Sequence, residues 1–64
     1  MIELARYRTD KPNKSLIIKQ SVITKDYFIG IEDHNIFEAV EICSDFKSAC
    51  QILNILSQNY SEAS

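Results

Sequence analysis

Apolar and polar residues follow one another along most of this chain in patterns typical of β-strands. Four short segments are rich in β-branched or aromatic side chains and are bounded by turn-forming residues: 2–8, 15–24, 27–32 and 36–43. The segment 36–43 also contains helix-favouring residues, and strand is the interpretation adopted for it. Polar residues at 10–14, 25–26 and 33–35 predict the turns that separate these strands.

The pattern changes at Asp45, where apolar residues begin to recur at helical spacing. The apolar stripe comprises Phe46, Ala49, Cys50, Leu53, Leu56 and Tyr60. Asp45 or Ser44 is suited to cap this helix by accepting backbone N–H groups of its first turn. The sequence therefore predicts an α+β fold, an antiparallel meander of three or four strands with one C-terminal helix packed on one face. Residues 1–60 would form this single domain, and residues 61–64 a frayed tail.

Composition limits the class of protein. A chain of 64 residues with 45% hydrophobic residues, one Gly and one Pro is long enough for one small globular domain and is unlike a disordered or collagen-like sequence. It shows neither a secretory signal nor an apolar run of membrane-spanning length, so we expect a cytoplasmic protein. Cys43 and Cys50 are too few for a disulfide scaffold and are expected to be reduced, half-buried thiols.

Charge is distributed unevenly along the chain. Residues 1–25 are net basic and residues 26–64 are net acidic, within a total of −2. Such asymmetry is typical of a basic contact surface, or of two parts of one fold that attract each other, and the second interpretation is favoured.

No pattern of catalytic or metal-binding residues emerges from the sequence. His34, the single histidine, lies in a polar turn, and no spacing places it beside Cys43 or Cys50 as a catalytic dyad. The same three residues lack the closely spaced ligand pairs of zinc sites. One glycine cannot build a phosphate-cradling loop. We therefore expect no enzyme activity, no catalytic or metal-binding residue and no cofactor.

Protein binding is the function that remains most consistent with the sequence. The chain has more large apolar strand residues than one helix can cover, and the candidate contact residues are Ile17, Ile23, Phe28 and Phe37. A homodimer would bury them and stabilise so small a domain. An inhibitor encoded by a phage or mobile element is an equally good form of this hypothesis. It would present an acidic patch to its target, formed by Glu32, Asp33, Glu38 and Glu41.

The alternative function is that of a nucleic-acid-binding regulator. It would use the basic N-terminal hairpin, where Arg6 and Arg8 share a strand face and Lys19 joins them from the next strand. The acidic pI of about 5.2 and the position of Tyr7 on the other strand face argue against this interpretation.

Two short segments and the helix that follows them carry a resemblance to a known family. The segments are Tyr27-Phe28-Ile29-Gly30-Ile31 and Val40-Glu41-Ile42-Cys43-Ser44-Asp45, and the helix contains Leu53 and Leu56. Together they resemble a family of small uncharacterised Firmicutes domains. The family shows a Tyr-Gly-Ile strand and then an Ile-Ser-x-Asp helix start, although Gly30 stands two residues later here and the family's acidic tail is missing. The resemblance implies a bacterial cytosolic protein, and it implies neither an activity nor a functional residue.

Overall fold

Four strands form an antiparallel sheet in the order in which they occur along the chain. They are β1 (Ile2–Arg8), β2 (Lys14–Gln20), β3 (Tyr27–Asp33) and β4 (Ile36–Cys43). One helix, α1 (Phe46–Ser57), follows and packs against one face of this sheet. The structure, a computed structural model, describes residues 1–60, so the tail expected at 61–64 lies outside the described residues. The predicted α+β meander with one C-terminal helix is confirmed, and segment 36–43 is a strand.

The β3–β4 connection is a two-residue turn. His34 and Asn35 both have positive φ angles, of 52° and 69°, as a hairpin turn of this length requires at both central positions. Asn tolerates this left-handed conformation better than most residues, and the Asp33 carboxylate holds the His34 ring through a 2.7 Å contact with Nδ1. The polar turn predicted at 33–35 therefore closes this hairpin.

Strand β2 ends earlier than its apolar composition predicts. The strand stops at Gln20, and the hydroxyl of Ser21 accepts hydrogen bonds from the backbone N–H groups of Ile23 and Thr24, each at 3.2 Å. The backbone N–H of Lys25, which has a φ of 68°, then donates to the Ser21 carbonyl. The prediction of a strand through residue 24 is wrong, because this local hydrogen bonding favours a turn over β-branched propensity.

Helix α1 begins at the predicted cap. The Asp45 carboxylate accepts from the backbone N–H of Ser48 at 3.0 Å and from the Ser48 hydroxyl at 3.0 Å. The helix ends at Ser57, so Tyr60 lies beyond it rather than in its apolar stripe. Cys50 is exposed, which corrects the expected half-buried thiol, whereas Cys43 is half-buried as expected.

The main core lies between α1 and the centre of the sheet. Ile18, Ile29 and Ala49 are fully buried at its centre. The residues that pack around them are half-buried and come from β1, β3, β4 and the helix: Ala5, Tyr27, Cys43, Ile52, Leu53 and Leu56. After the helix the chain continues towards β1, where the Tyr7 hydroxyl donates to the Tyr60 carbonyl at 3.3 Å.

The sheet face turned away from α1, called the open face below, is partly covered by its own side chains. Ile17 lies at its centre between Arg6 and Gly30 of the neighbouring strands and is 0% exposed. Arg6 on β1 reaches across β2 to Glu32 on β3, with 2.9 Å between guanidinium and carboxylate. In the same way Lys19 on β2 reaches the Phe37 ring on β4, 4.5 Å from its centroid. These two contacts span the open face and shield the centre of the sheet.

Candidate functional site

The predicted apolar contact residues do not form one surface. Ile17 is fully buried on the open face, so its prediction as a contact residue is corrected. Phe28 and Phe37 are half-buried on the same face. Ile23 is 87% exposed, but it lies in the β2–β3 turn at the opposite end of the sheet from Phe37.

The four predicted acidic residues also lie on two different faces. Glu32 points to the open face, where Arg6 holds it, and its side chain is only 18% exposed. Asp33, Glu38 and Glu41 have the register of the helix-side residues and are exposed. One acidic patch of four residues therefore does not form, and three of them share the helix side of β3 and β4.

Two of the three predicted nucleic-acid contacts are engaged with other groups of the chain. The Arg6 guanidinium contacts Glu3 at 2.8 Å and Glu32 at 2.9 Å, and hydrogen bonds to these carboxylates raise the pKa of Arg6 further above its already high value. Lys19 lies over the Phe37 ring. Arg8 is exposed and, within residues 1–60, forms no ion pair.

A cleft that the sequence analysis missed lies on the helix side of the sheet, beyond the area that α1 covers. Its volume is about 440 Å³. Its walls are formed by residues of β3, β4 and their turn, together with the first residue of β2: Lys14, Ile31, Asp33, His34, Ile36, Glu38 and Val40. Ile36 is 73% exposed and Val40 is 50% exposed, so two large apolar side chains of this helix-side cleft are open to water.

The cleft exists because the helix is short and because β4 contains a bulge. Helix α1 has 12 residues, and the chain after it continues towards β1. The part of β3 and β4 next to their connecting turn is therefore left uncovered. The register of β3 against β4 shifts between Ile29 and Gly30, so that Val40 has no partner on β3. A bulge of this kind changes the direction of the extra residue, and here Val40 lines the cleft beside Ile31.

The rim of the cleft is acidic. Asp33 contacts the His34 ring and lies 3.8 Å from the Lys14 ammonium, which is a weak, solvent-exposed pair. Glu38 forms no ion pair with any group in the described part of the chain. One cation therefore accompanies two carboxylates around an apolar floor. The sequence signal for this site was Gly30, the residue that lets the bulged backbone of β4 approach β3.

Two observations concern the possible metal ligands and the cysteine thiols of the described residues. Among residues 1–60, no three His, Cys, Asp or Glu side chains are grouped closely enough to hold a metal ion. The Cys43 thiol donates to the Asp45 carbonyl at 3.4 Å, a contact at the start of the helix rather than one with His34. Over the same residues, no helix combines the length and the apolarity that a membrane crossing requires.

Comparison of the chain with protein-family models, with curated proteins and with solved structures finds no match. The resemblance to small Firmicutes domains therefore stays a prediction.

Proposed function

We propose that this protein is a small, non-catalytic interaction module that binds a segment of a partner protein in the helix-side cleft. The observation that carries the proposal is the exposure of Ile36 and Val40, which form the apolar floor of the cleft together with Ile31. Covering such side chains is favourable by about 25 cal/mol for each Å² of apolar surface removed from water. A cleft of this volume accepts one or two side chains of a docked segment.

The charge around the cleft indicates the chemistry of the segment. Asp33 and Glu38 stand at the rim of an apolar floor, so the complementary ligand is an apolar side chain with a Lys or Arg beside it in sequence. Glu41 lies further along the same side of β4 and extends the acidic rim. An extended segment would place alternate side chains in the cleft and over this rim.

A different protein is a better occupant of the cleft than a second copy of the chain in a two-fold dimer. Antiparallel pairing of β4 with the β4 of another copy, centred between Glu38 and Glu41, would place Glu38 of each copy beside Glu41 of the other, and like charges at such an interface are unfavourable. The homodimer expected from the apolar surplus thus gains no support from the acidic edge. If the partner is an enzyme or a nucleic-acid-binding protein, occupation of its surface by this module would inhibit it, which is the inhibitor form of the proposal.

Nucleic-acid binding through Arg6, Arg8 and Lys19 is less well supported. Arg6 is paired with Glu3 and Glu32, and Lys19 is placed on an aromatic ring, so Arg8 is the one member of the three without such a contact among residues 1–60.

The proposal is tested by NMR titration of the full chain labelled at its isoleucine methyl groups. The probe is a capped hexapeptide with one central Leu flanked by Lys residues, and the control peptide has Glu in place of Lys. We expect saturable shifts of the Ile31 and Ile36 methyl groups with the Lys peptide, and much weaker binding of the Glu peptide. The methyl group of Ile55, which is 62% exposed on α1, should not shift.

Two variants of β4 separate the cleft from general apolar adhesion. Ile36→Thr removes apolar contact in the cleft and should weaken peptide binding by about tenfold. Ile42→Thr makes the same change on the open face, where Ile42 is 55% exposed, and should leave peptide affinity unchanged. Equal weakening by both variants, or equal binding of both peptides, would show that the cleft is not the binding site.

A further inference from the structure

A second concavity lies on the open face at the end of the sheet, between the β1–β2 loop and the β3–β4 turn. Its volume is about 340 Å³, at the lower end of the range for small-molecule sites. Four cationic side chains and one carboxylate line it: Arg6, Arg8, Lys11, Lys14 and Glu32. The whole chain has a net charge of −2, so this basic concavity gathers positive charge on an otherwise acidic molecule.

The cations of the basic concavity differ in whether a carboxylate already contacts them. Arg6 contacts Glu32 at 2.9 Å, so the one carboxylate of the lining already has a cationic partner. Arg8 and Lys11 are exposed and form no ion pair with any group of residues 1–60. Lys14 has only the 3.8 Å contact with Asp33. Arg8 and Lys11 are therefore the cations that remain available to an anion.

The loop that carries Lys11 is held in place by a buried polar residue. Thr9 is 4% exposed. Its hydroxyl donates to the Lys14 carbonyl at 2.8 Å and accepts from the Lys11 backbone N–H at 3.2 Å. The Lys14 backbone N–H donates to the Lys11 carbonyl at 3.3 Å. These bonds fix the backbone positions of both lysines before any ligand arrives, which lowers the entropy lost on binding.

The two loops of the basic concavity are also fixed relative to each other. The backbone N–H of His34 in the β3–β4 turn donates to the Asn13 carbonyl in the β1–β2 loop at 3.0 Å. Asn13 and Asn35, with φ angles of 64° and 69°, line the same concavity, and each carries a side-chain amide. The residues that line the concavity therefore include neutral hydrogen-bond donors as well as cations.

We infer that the basic concavity binds the phosphate group of a small phosphorylated ligand. A phosphate dianion accepts several hydrogen bonds at once, and an arginine fork with a nearby lysine and amide donors matches that requirement. A long polyanion is a poorer fit, because four of the seven cationic residues line this one concavity and the chain as a whole has a net charge of −2. The site opens on the opposite face of the sheet from the helix-side cleft, and Lys14 is the one residue that lines both. The cations Arg8 and Lys11 do not belong to the cleft.

The test is an amide NMR titration of the full chain with inorganic phosphate and with adenosine monophosphate, each against sodium chloride at equal ionic strength. We expect saturable shifts confined to residues 8–15 and Asn35 for at least one phosphate probe, and none with chloride. The tighter of the two probes assigns the source as free phosphate or as a phosphate monoester. An unstructured oligodeoxynucleotide that binds more tightly per phosphate than either probe would overturn the inference in favour of nucleic acid.

Three variants locate the site. Arg8→Gln and Lys11→Gln each remove one free cation and should weaken binding of the preferred probe by about tenfold or more. Lys47→Gln removes the same charge from α1, outside the concavity, and should leave the affinity within about twofold. Shifts that do not saturate, or equal weakening by all three variants, would show that phosphate is attracted only by general charge, and the inference would then be wrong. The spectrum of each variant reports directly whether it is folded.

Discussion

The backbone of Gly30 in β3 lies so close to that of Ala39 in β4 that a Cβ atom on Gly30 would be 2.8 Å from the Ala39 Cα atom. The same Cβ atom would also clash with the carbonyl oxygen of Glu38. Both obstacles are backbone atoms, so no side-chain rotation relieves them. Gly30 is therefore required for the bulge that turns Val40 into the helix-side cleft.

Substitution of this glycine should destabilise the fold. Gly30→Ala is expected to lower the free energy of unfolding by about 2 kcal/mol, because β4 must move away from β3 to admit the methyl group. Urea unfolding followed by circular dichroism measures the loss. Gln51→Ala on the exposed side of α1 is the control, expected within about 0.5 kcal/mol of the parent chain. A Gly30→Ala chain as stable as its parent would contradict the close approach of the two strands.

Covering of Ile17 by Arg6 gives a second prediction. Arg6→Ala should cost about 1 kcal/mol of stability, most of it from uncovering Ile17, since solvent screens the exposed ion pairs. Arg6→Met keeps an apolar side chain of similar length above Ile17 and should recover most of that loss. Denaturant unfolding compares the two variants. Equal destabilisation by Ala and Met would mean that the ion pairs, rather than the covering, stabilise this face.

The cap of α1 should make stability depend on pH in the acidic range. Hydrogen bonds from the backbone N–H and then the hydroxyl of Ser48 hold the pKa of Asp45 below its usual value. Because the folded-state pKa is lowered, this stabilisation is present above the unfolded pKa, near 4, and is lost as the pH falls through the folded value. In Asp45→Asn the side chain can still cap the helix but no longer titrates. The thermal midpoint of this variant should therefore fall less than that of the parent chain between pH 5 and pH 2. Asp45→Ala should lower the midpoint at pH 7.

Glu3 should add to the same acid sensitivity. A hydrogen bond from Arg6 is the main cause that holds the pKa of Glu3 below 4.5, so its contribution is also lost as the pH falls through the lowered folded value. NMR titration of the Glu3 carboxyl carbon in the parent and in Arg6→Met measures the effect. The pKa of Glu3 should rise in the variant, and an unchanged pKa would contradict the contact.

The elements set by local chemistry were predictable from the sequence, whereas those set by distant contacts were not. The β3–β4 turn and the helix start follow from short polar segments whose side chains bond their own backbone. The end of β2 was missed because Val22 and Ile23 favour strands, while the single hydroxyl of Ser21 determines the turn.

The candidate site was harder to predict for the same reason. The burial of Ile17 depends on side chains that cross from strands on either side, and the helix-side cleft depends on where the helix ends and on an unpaired residue in β4. The crossing side chains, the end of the helix and the unpaired residue of β4 cannot be predicted from the hydrophobic periodicity of a single segment. The acidic residues of the rim were identified, but the apolar floor formed by Ile36 and Val40 was not.

Two variants in the β2–β3 turn test whether β2 ends at Gln20 or continues through residue 24. Ile23→Ser should change the free energy of unfolding by no more than about 0.5 kcal/mol, since Ile23 is 87% exposed and outside the sheet. Ser21→Ala should cost about 1 kcal/mol, because two backbone N–H groups lose their acceptor. Thermal or urea unfolding of both variants measures the contrast, and a larger loss for Ile23→Ser than for Ser21→Ala would support the strand instead.

The most direct test of the interaction module is photo-crosslinking from the cleft in cells that produce the chain. A photoreactive amino acid replaces Ile36 in one variant and Ile55, similarly exposed on α1, in the other. We predict that position 36 crosslinks to one segment of a different protein, with an apolar residue beside Lys or Arg, and that position 55 does not. Crosslinks from position 36 to a second copy of this chain, or the same crosslinks from both positions, would contradict the account.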